Sequence, residues 1–170
     1  MKFYSKKIDD PIYGHFDSQT EFDYYTNILL KMQENGEIKD LNRQVVHSLI
    51  PSFKDSCLNT VQKMTYSSDF EYVDIATNKT VIVDCKGSAF CIDEKFKCKW
   101  KMLKYLQKDE PNIQYKIVIK YKDVWYDLES KIDKKTYKTL HAEENKKKAE
   151  RKAKRETEKK TKKSKSKPKK

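Results

Sequence analysis

Two acidic side chains and a lysine in the middle of the chain have the spacing of a hydrolytic metal site. Asp84 and Lys86 are two residues apart in a β-rich run, so a strand would place them on the same face. Asp69 lies fifteen residues before Asp84, in the preceding β-rich run. Close carboxylates repel one another unless a positive charge lies between them, and Mg²⁺ is usually held by a few carboxylates, water and substrate phosphate. The pattern therefore predicts a site for a divalent cation.

A hairpin would bring Asp69 towards Asp84 and Lys86. The two strands and the turn between them are expected at residues 65–75, 80–86 and 76–79. If residue 76 pairs with residue 79, Glu71 opposes Asp84 and Asp69 opposes Lys86. Asp69, Asp84 and Lys86 then share one face of the hairpin. The alternative is an ordinary solvated strand face, on which Glu71 and Lys86 form a weak ion pair.

Glu21 is a third candidate acid, on a helix that Asp17 and Ser18 can cap and that is predicted to run to about Glu34. The apolar stripe of this helix consists of Phe22, Tyr25, Ile28, Leu29 and Met32. Glu21 falls within the stripe, where a carboxylate is costly unless it is paired, protonated or bound to a metal. The alternative is a capping box, because Ser18 and Glu21 have the S-x-x-E spacing of a helix start.

A basic helix is predicted directly after the acidic residues, over residues 91–108. It has no acidic residue from position 95 to position 108. The lysines expected to contact nucleic acid are Lys95, Lys97, Lys99, Lys101 and Lys104. The alternative is an amphipathic helix whose lysines are simply solvated.

The net charge of +12 lies at the C-terminal end of the chain. Residues 146–170 hold fifteen Lys and Arg and three Glu, whereas residues 1–145 hold twenty-three of each sign. Such a segment cannot bury a core, so residues 141–170 are predicted to be a disordered or helical basic tail after a domain at residues 1–140. The tail is suited to salt-sensitive attraction to phosphates, or only to keeping the protein soluble.

The order of the remaining elements predicts a mixed α/β fold. After the first helix come an extended segment at 38–50, the hairpin, the basic helix and strands at 114–120 and 123–128. No run of eighteen apolar residues is present, and the N-terminal residues lack the apolar region of a signal peptide, so no membrane partner and a cytoplasmic location are expected. The four cysteines fit no zinc spacing and are expected to be reduced core residues.

These motifs resemble those of a known nuclease superfamily. Ser67–Phe70 followed by Val83–Gly87 resembles the PD-(D/E)xK motif of the restriction-endonuclease-like fold, and Phe16–Tyr25 resembles its first helix with the extra glutamate. Over residues 13–120 the arrangement is similar to small phage endonucleases of the endonuclease I type, which resolve Holliday junctions. Two departures are Ser68, where the motif has proline, and Asp84, where glutamate is commoner and reaches further.

The resemblance implies a restriction-endonuclease-like core, with a central mixed sheet flanked by helices, and assigns roles to five residues. Glu21, Asp69 and Asp84 would hold Mg²⁺, for which Mn²⁺ can substitute, with the carbonyl of Cys85 as a further ligand. Lys86 would be the catalytic lysine. The reaction implied is hydrolysis of a DNA phosphodiester bond, which leaves 5′-phosphate and 3′-hydroxyl ends.

The expected substrate is branched DNA such as a Holliday junction, processed during phage recombination in the host cytoplasm. Symmetric cleavage of two strands favours a homodimer. Two alternatives are a less selective duplex nuclease or exonuclease of the same fold, and a non-catalytic protein that binds nucleic acid through the basic helix and tail.

Overall fold

A five-stranded mixed sheet is the centre of the fold, which confirms the predicted α/β class with a restriction-endonuclease-like core. The computed structural model describes residues 6–165, with side chains for all of these except residue 90 and residues 154–165. The strands are β1 Ile8–Asp10, β2 Gly14–Phe16, β3 Ile38–Ile50, β4 Phe53–Lys54, β5 Thr60–Val61, β6 Met64–Asp74, β7 Lys79–Lys86, β8 Ile113–Tyr121 and β9 Val124–Asp127. The helices are α1 Gln19–Tyr24, α2 Leu30–Glu34, α3 Glu94–Leu106 and α4 Lys131–Lys165, with a π-helical segment at Tyr25–Leu29 and a 3₁₀ turn at Ala89–Cys91.

The sheet has the strand order β3-β6-β7-β8-β9, and only β7 and β8 run parallel. Helix α1 covers one face, where Val81, Val83 and Cys85 of β7 join the main apolar core as the alternation predicts. Helix α3 packs on the opposite face through Trp100 and Leu103, which are both buried. Asp84 and Lys86 belong to this second face by alternation along β7.

The hairpin register predicted from the sequence is wrong by two residues. Asp74 pairs with Lys79 and Glu71 pairs with Ile82, not with Asp84. The loop is longer than expected because Asn78 adopts a positive φ of 51°, and the Asp74 side chain caps the turn. A shift of two residues preserves the predicted faces along the paired part of the hairpin, and the observed register places Asp69 beside Asp84 instead of Lys86.

The alternation of faces along β6 is interrupted at Asp69. Tyr66 packs against aromatic side chains of α3, whereas Phe70 stacks on Tyr25 on the other side of the sheet, with centroids 5.8 Å apart. A regular strand would place both on one face. The pairing of β3 with β6 skips Asp69 and the residue across from it, Gln44, which has a φ of 52°. Asp69 therefore lies at a local twist that exchanges the two faces.

The first predicted helix is present but is not a regular α-helix throughout. Ser18 is its N-cap, and the segment Tyr25–Leu29 is π-helical before α2 continues to Glu34. The basic helix begins later than predicted, at Glu94, because the Asp93 side chain caps it by accepting a hydrogen bond from the Phe96 N–H.

The chain divides after Ser130 into two compact units, and the second contains helix α4. Residues 141–165 of the predicted tail are helical, within the prediction of a disordered or helical segment. The boundary predicted after residue 140 remains a prediction. The first five residues of the predicted domain and the last five of the tail lie outside the described residues.

Two further sequence expectations can be compared with the structure. Cys85 is buried, but Cys57 and Cys98 are exposed, so the expectation that all the cysteines are core residues is wrong for these two. No helix among the described residues combines the length and the apolar character needed to cross a bilayer.

Candidate active site

Asp84, near the end of β7, is held at both oxygens of its carboxylate. Its Oδ2 accepts a hydrogen bond of 2.6 Å from the Tyr66 hydroxyl, and its Oδ1 forms an ion pair with Lys86 Nζ. Apart from that ammonium group, no hydrogen-bond partner for Oδ1 is present in the part of the chain that the structure describes. Asp84 is only 3% exposed. Asp84 Oδ1 is thus a buried anionic oxygen with bonding capacity to spare.

Lys86 lies between Asp84 and an aromatic ring of α3. Its Nζ is 4.3 Å from the centroid of the Phe96 ring, a cation–π distance. Burial by itself would lower the pKa of Lys86, but the negative charges of Asp84 and Asp69 outweigh burial and raise the pKa above its ordinary value. Lys86 is therefore an ammonium group at neutral pH in this arrangement.

Asp69 contacts the backbone of β7 at the point where the ladder between β6 and β7 stops. The pairing ends at Phe70 and Val83, and the N–H of Cys85 donates to Asp69 Oδ2 at 2.7 Å. Burial raises the pKa of Asp69 well above its ordinary value, and the charges of Asp84 and Glu21 raise it further. The ionised form of Asp69 is therefore destabilised unless a cation compensates it.

Glu21 shows both of the properties that the sequence left as alternatives. It accepts hydrogen bonds from the Ser18 hydroxyl at 2.7 Å and from the Asp17 N–H at 3.3 Å. Its own N–H donates to Ser18 Oγ as in a capping box, although the side chain bonds to the N–H of Asp17 and not to that of the N-cap residue. It is also only 6% exposed, and it is close enough to Asp84 for the negative charge of Asp84 to raise the pKa of Glu21. Burial, reinforced by neighbouring negative charge, raises the pKa of Glu21 despite the two hydrogen bonds it accepts.

The four predicted catalytic residues thus influence one another electrostatically at the end of β7. Asp69 responds to the charges of Glu21, Asp84 and Lys86. Among the described residues, however, no group of three or more His, Cys, Asp or Glu side chains is arranged as a ready-made metal site. Each carboxylate has instead a partner within the protein, so the predicted ligand set remains a prediction.

Cys85 can contribute to such a site only through its backbone. Its thiol is buried in the core beneath α1, and burial together with the neighbouring carboxylates raises the pKa of the thiol well above its usual value. The thiol therefore stays protonated and apolar in character. Its carbonyl remains the predicted ligand atom.

The predicted DNA-binding lysines of α3 differ in what they contact. Lys97 pairs with an acidic residue in the first turn of its own helix, and Lys104 pairs with a glutamate that follows β9, each at 2.6 Å. Lys99 donates to a backbone carbonyl of β6 at 2.6 Å. Lys95 and Lys101 are exposed. The absence of acids within residues 95–108 therefore does not leave α3 unpaired, because acids from outside that range neutralise part of its charge.

A second polar network lies on β3 and β6 next to Tyr66. Ser68, which is fully buried at the motif's proline position, donates to Glu71 Oε1 at 2.9 Å, and Glu71 forms an ion pair with His47. Ser68 and Glu71 are three residues apart and can meet only because the faces exchange at Asp69. Ser68 therefore has a structural role here, through the hydroxyl that it donates.

Removing the Ser68 hydroxyl should destabilise the fold. Ser68→Ala removes the hydroxyl that donates to the half-buried Glu71 carboxylate and leaves that carboxylate to its ion pair with His47. We expect the free energy of unfolding to fall by roughly 1–2 kcal/mol, measured by urea denaturation. The matched control is Ser67→Ala, because the Ser67 hydroxyl donates to the exposed Gln44 side chain, at 3.2 Å. Its expected change is under about 0.5 kcal/mol. Equal losses in the two variants would contradict this role for Ser68.

Tyr66 is the residue of this site that the sequence analysis missed. Strict alternation from Asp69 places Tyr66 on the opposite face from Asp84, whereas the exchange of faces brings its hydroxyl to the Asp84 carboxylate. The feature that accompanies this exchange of faces is the positive φ of Gln44, which is visible in the backbone and not in the sequence. The residue type alone gives little warning, because glutamine rarely adopts this conformation.

The fold and the site define a mixed α/β protein with three interacting carboxylates and a lysine at one end of a central strand. A family model matches residues 1–124, and its description is "Protein of unknown function (DUF1064)". The chain belongs to this family. No curated protein and no solved structure matches the chain.

Proposed function

We propose that this protein is a metal-dependent DNA endonuclease of the PD-(D/E)xK kind. The observation that supports it most is the geometry at the end of β7, where the buried Asp84 carboxylate pairs with Lys86 and the N–H of Cys85, between them, donates to Asp69. Glu21 is the third acid, because its charge and that of Asp84 both raise the pKa of Asp69. Three ionised acids close together in a buried place destabilise a fold, so their presence indicates a use other than stability. Binding a cation is the purpose that suits carboxylates.

The donor set suits Mg²⁺, with Mn²⁺ as a substitute. All the candidate ligand atoms are oxygens: the carboxylates of Glu21, Asp69 and Asp84 and the carbonyl of Cys85. Asp84 Oδ1 is buried and has no hydrogen-bond donor other than Lys86 among the described residues, so it is the atom best suited to accept a cation. When bound, the ion would supply charge stabilisation at the phosphate that is attacked.

The chain's own residues would then have distinct roles in phosphodiester hydrolysis. Lys86 is held in its charged form, so we assign it the neutralisation of developing negative charge on the phosphate rather than removal of a proton from water. The hydrogen bond from the Cys85 N–H keeps Asp69 Oδ2 in place. Lys95 and Lys101 are exposed and available to the DNA backbone, whereas Lys97, Lys99 and Lys104 would first exchange their present partners.

The finer parts of the proposal concern substrate and context. Branched DNA such as a Holliday junction is the proposed substrate, cut by a homodimer during phage DNA recombination or processing. Cleavage would leave 5′-phosphate and 3′-hydroxyl ends. The proposed location is the cytoplasm, which is the host's if the protein is phage-encoded. These parts follow from the resemblance of the motifs.

Substitution of Lys86 or Asp84 should abolish cleavage and spare DNA binding. Lys86→Ala and Asp84→Asn remove the ammonium group and the main anionic ligand, so we expect Mg²⁺-dependent cleavage to fall by at least about 100-fold. The assay is a gel analysis of four-way junctions, linear duplex and single strands with Mg²⁺ or with EDTA. Binding of the same DNA, measured by gel shift in EDTA, should change less than about threefold, since most of the affinity comes from other cationic groups.

The control and the wild-type result separate the alternatives. Lys39→Ala removes an exposed lysine from β3 and should leave cleavage unchanged. Wild-type protein that binds all three DNAs but cleaves none with Mg²⁺ or Mn²⁺ would contradict the nuclease proposal and favour a non-catalytic binding protein. Cleavage of linear duplex as fast as of junctions would favour the less selective nuclease.

A further inference from the structure

Tyr66 is fixed from both sides by aromatic rings. It is 5% exposed, and it stacks on His47 with centroids 6.1 Å apart and planes at 25°. On its other side the edge-to-face contact with Trp100 has a centroid distance of 5.5 Å. A tyrosine ring packed in this way keeps its hydroxyl in one place.

The Tyr66 hydroxyl determines which oxygen of the Asp84 carboxylate is engaged in a hydrogen bond within the protein. It donates its proton to Asp84 Oδ2 at 2.6 Å, a short bond typical of an O–H group and a carboxylate. Rotation of the carboxylate would break this bond inside a buried site, which is costly. Oδ1 therefore remains the oxygen on the Lys86 side.

We propose that Tyr66 is a positioning residue that orients the Asp84 carboxylate so that Oδ1 is presented to a divalent cation. This rests on the metal centre of the proposed function and adds a residue to it. Tyr66 acts through Asp84 and contacts neither the cation nor the DNA. Without its hydroxyl, Asp84 can turn and offer both oxygens to Lys86, which competes with the cation. Hydrogen bonds that orient metal ligands typically affect metal affinity or activity by about 10–100-fold.

Tyr66→Phe tests the proposal because it removes the hydroxyl and keeps the ring. Mg²⁺ titration calorimetry of DNA-free protein should show about tenfold weaker binding than in the wild type. In cleavage assays the Mg²⁺ concentration for half-maximal rate should rise by a similar factor, while the rate at saturating Mg²⁺ stays within about threefold. A residue that only supported the fold would not separate these two quantities.

Tyr115→Phe is the matched control. Its ring also packs edge-to-face on Trp100, at 5.6 Å, but its hydroxyl donates to Gln107, away from the acids. Mg²⁺ affinity in this variant should stay within about twofold of the wild type, since its hydroxyl bonds to Gln107 and not to a proposed metal ligand. An equal loss in Tyr115→Phe and Tyr66→Phe would overturn the positioning role.

The calorimetry separates this inference from the nuclease proposal. Wild-type protein that binds Mg²⁺ without cleaving DNA would defeat the nuclease proposal alone, and a tenfold loss in Tyr66→Phe would still support the role of Tyr66. Wild-type protein that binds no Mg²⁺, or Tyr66→Phe that binds it as tightly as the wild type does, would overturn that role.

A measurement on the wild-type protein keeps the inference testable if Tyr66→Phe does not fold. A cation at Asp84 Oδ1 withdraws charge from the carboxylate and weakens the hydrogen bond at Oδ2. The ¹³C resonance of the Tyr66 ring carbon that bears the hydroxyl should therefore move during Mg²⁺ titration, while that of Tyr115 stays in place. A Tyr66 resonance that does not move at saturating Mg²⁺ would contradict the proposal.

Discussion

Asp69→Asn should stabilise the metal-free protein and at the same time abolish its response to Mg²⁺. Burial and the charges of Asp84 and Glu21 raise the pKa of Asp69, so its ionised form costs free energy at neutral pH. Asparagine keeps an oxygen that can accept the Cys85 N–H and turns its amide group towards the remaining carboxylates. We therefore expect the free energy of unfolding in EDTA at pH 8 to be higher for the variant than for the wild type.

The direction of the pH dependence follows from the raised pKa. An acid whose pKa is higher in the folded state than its ordinary value of 3.8 binds more protons when folded. Its unfavourable contribution is absent below that ordinary value and develops as the pH rises through the raised pKa. The stability gain of Asp69→Asn should therefore be small near pH 4 and largest at pH 8, measured by urea denaturation at each pH.

Mg²⁺ should stabilise the wild type much more than it stabilises the Asp69→Asn variant. At a concentration ten times its dissociation constant, the ion should stabilise the wild type by about 1.4 kcal/mol and the variant by far less. Cleavage by the variant should fall by at least about 100-fold, because one of the three proposed carboxylate ligands is lost. Asp109→Asn, which alters an exposed acid, is the control and should behave as the wild type does. An Asp69→Asn variant that is less stable than the wild type in EDTA at pH 8 would contradict the claim that ionised Asp69 destabilises the metal-free protein.

Part of this site could be predicted because strand periodicity constrains it strongly. Asp84 and Lys86 share a face of β7 in any register of the hairpin, since they are two residues apart. The actual register differs from the predicted one by two residues, and an even shift preserves the faces. The helical position of Glu21 was similarly predictable from its apolar neighbours, and it is buried as expected.

The surroundings of the acids could not be predicted, because they depend on the backbone and on distant parts of the chain. The contact of Tyr66 with Asp84 needs the exchange of faces opposite Gln44, for which the residue types give no warning. The ion pair of Lys104 with Glu129 joins residues 25 positions apart. Local patterns describe what one element presents, whereas these pairings depend on how elements pack.

Removal of residues 146–170 should weaken DNA binding strongly without changing its selectivity. These residues hold the whole net charge of +12, and helix α4 extends through Lys165. A segment that neutralised about five phosphates would steepen the dependence of log affinity on log salt by about 4.5. We therefore expect binding of the truncated protein at about 0.1 M salt to weaken by at least tenfold on junctions and duplexes alike, with a flatter salt dependence measured by fluorescence anisotropy.

The same experiment can separate the effect of the charge of residues 146–170 on DNA affinity from the effect of their length. A full-length variant with every Lys and Arg of residues 146–170 replaced by Gln should lose affinity as the truncation does, whereas one with every Lys of this segment replaced by Arg should keep it, because phosphate attraction follows charge. Cleavage at saturating DNA should persist in all three proteins, since Asp84 and Lys86 lie on β7 and are untouched. If the truncated protein kept its DNA affinity and the same slope of log affinity against log salt, the tail would have no role in DNA binding, and the solubilising role would be favoured. Loss of cleavage at saturating DNA would instead tie the tail to the chemical step, which the local contacts of Asp84 with Tyr66 and Lys86 give no reason to expect.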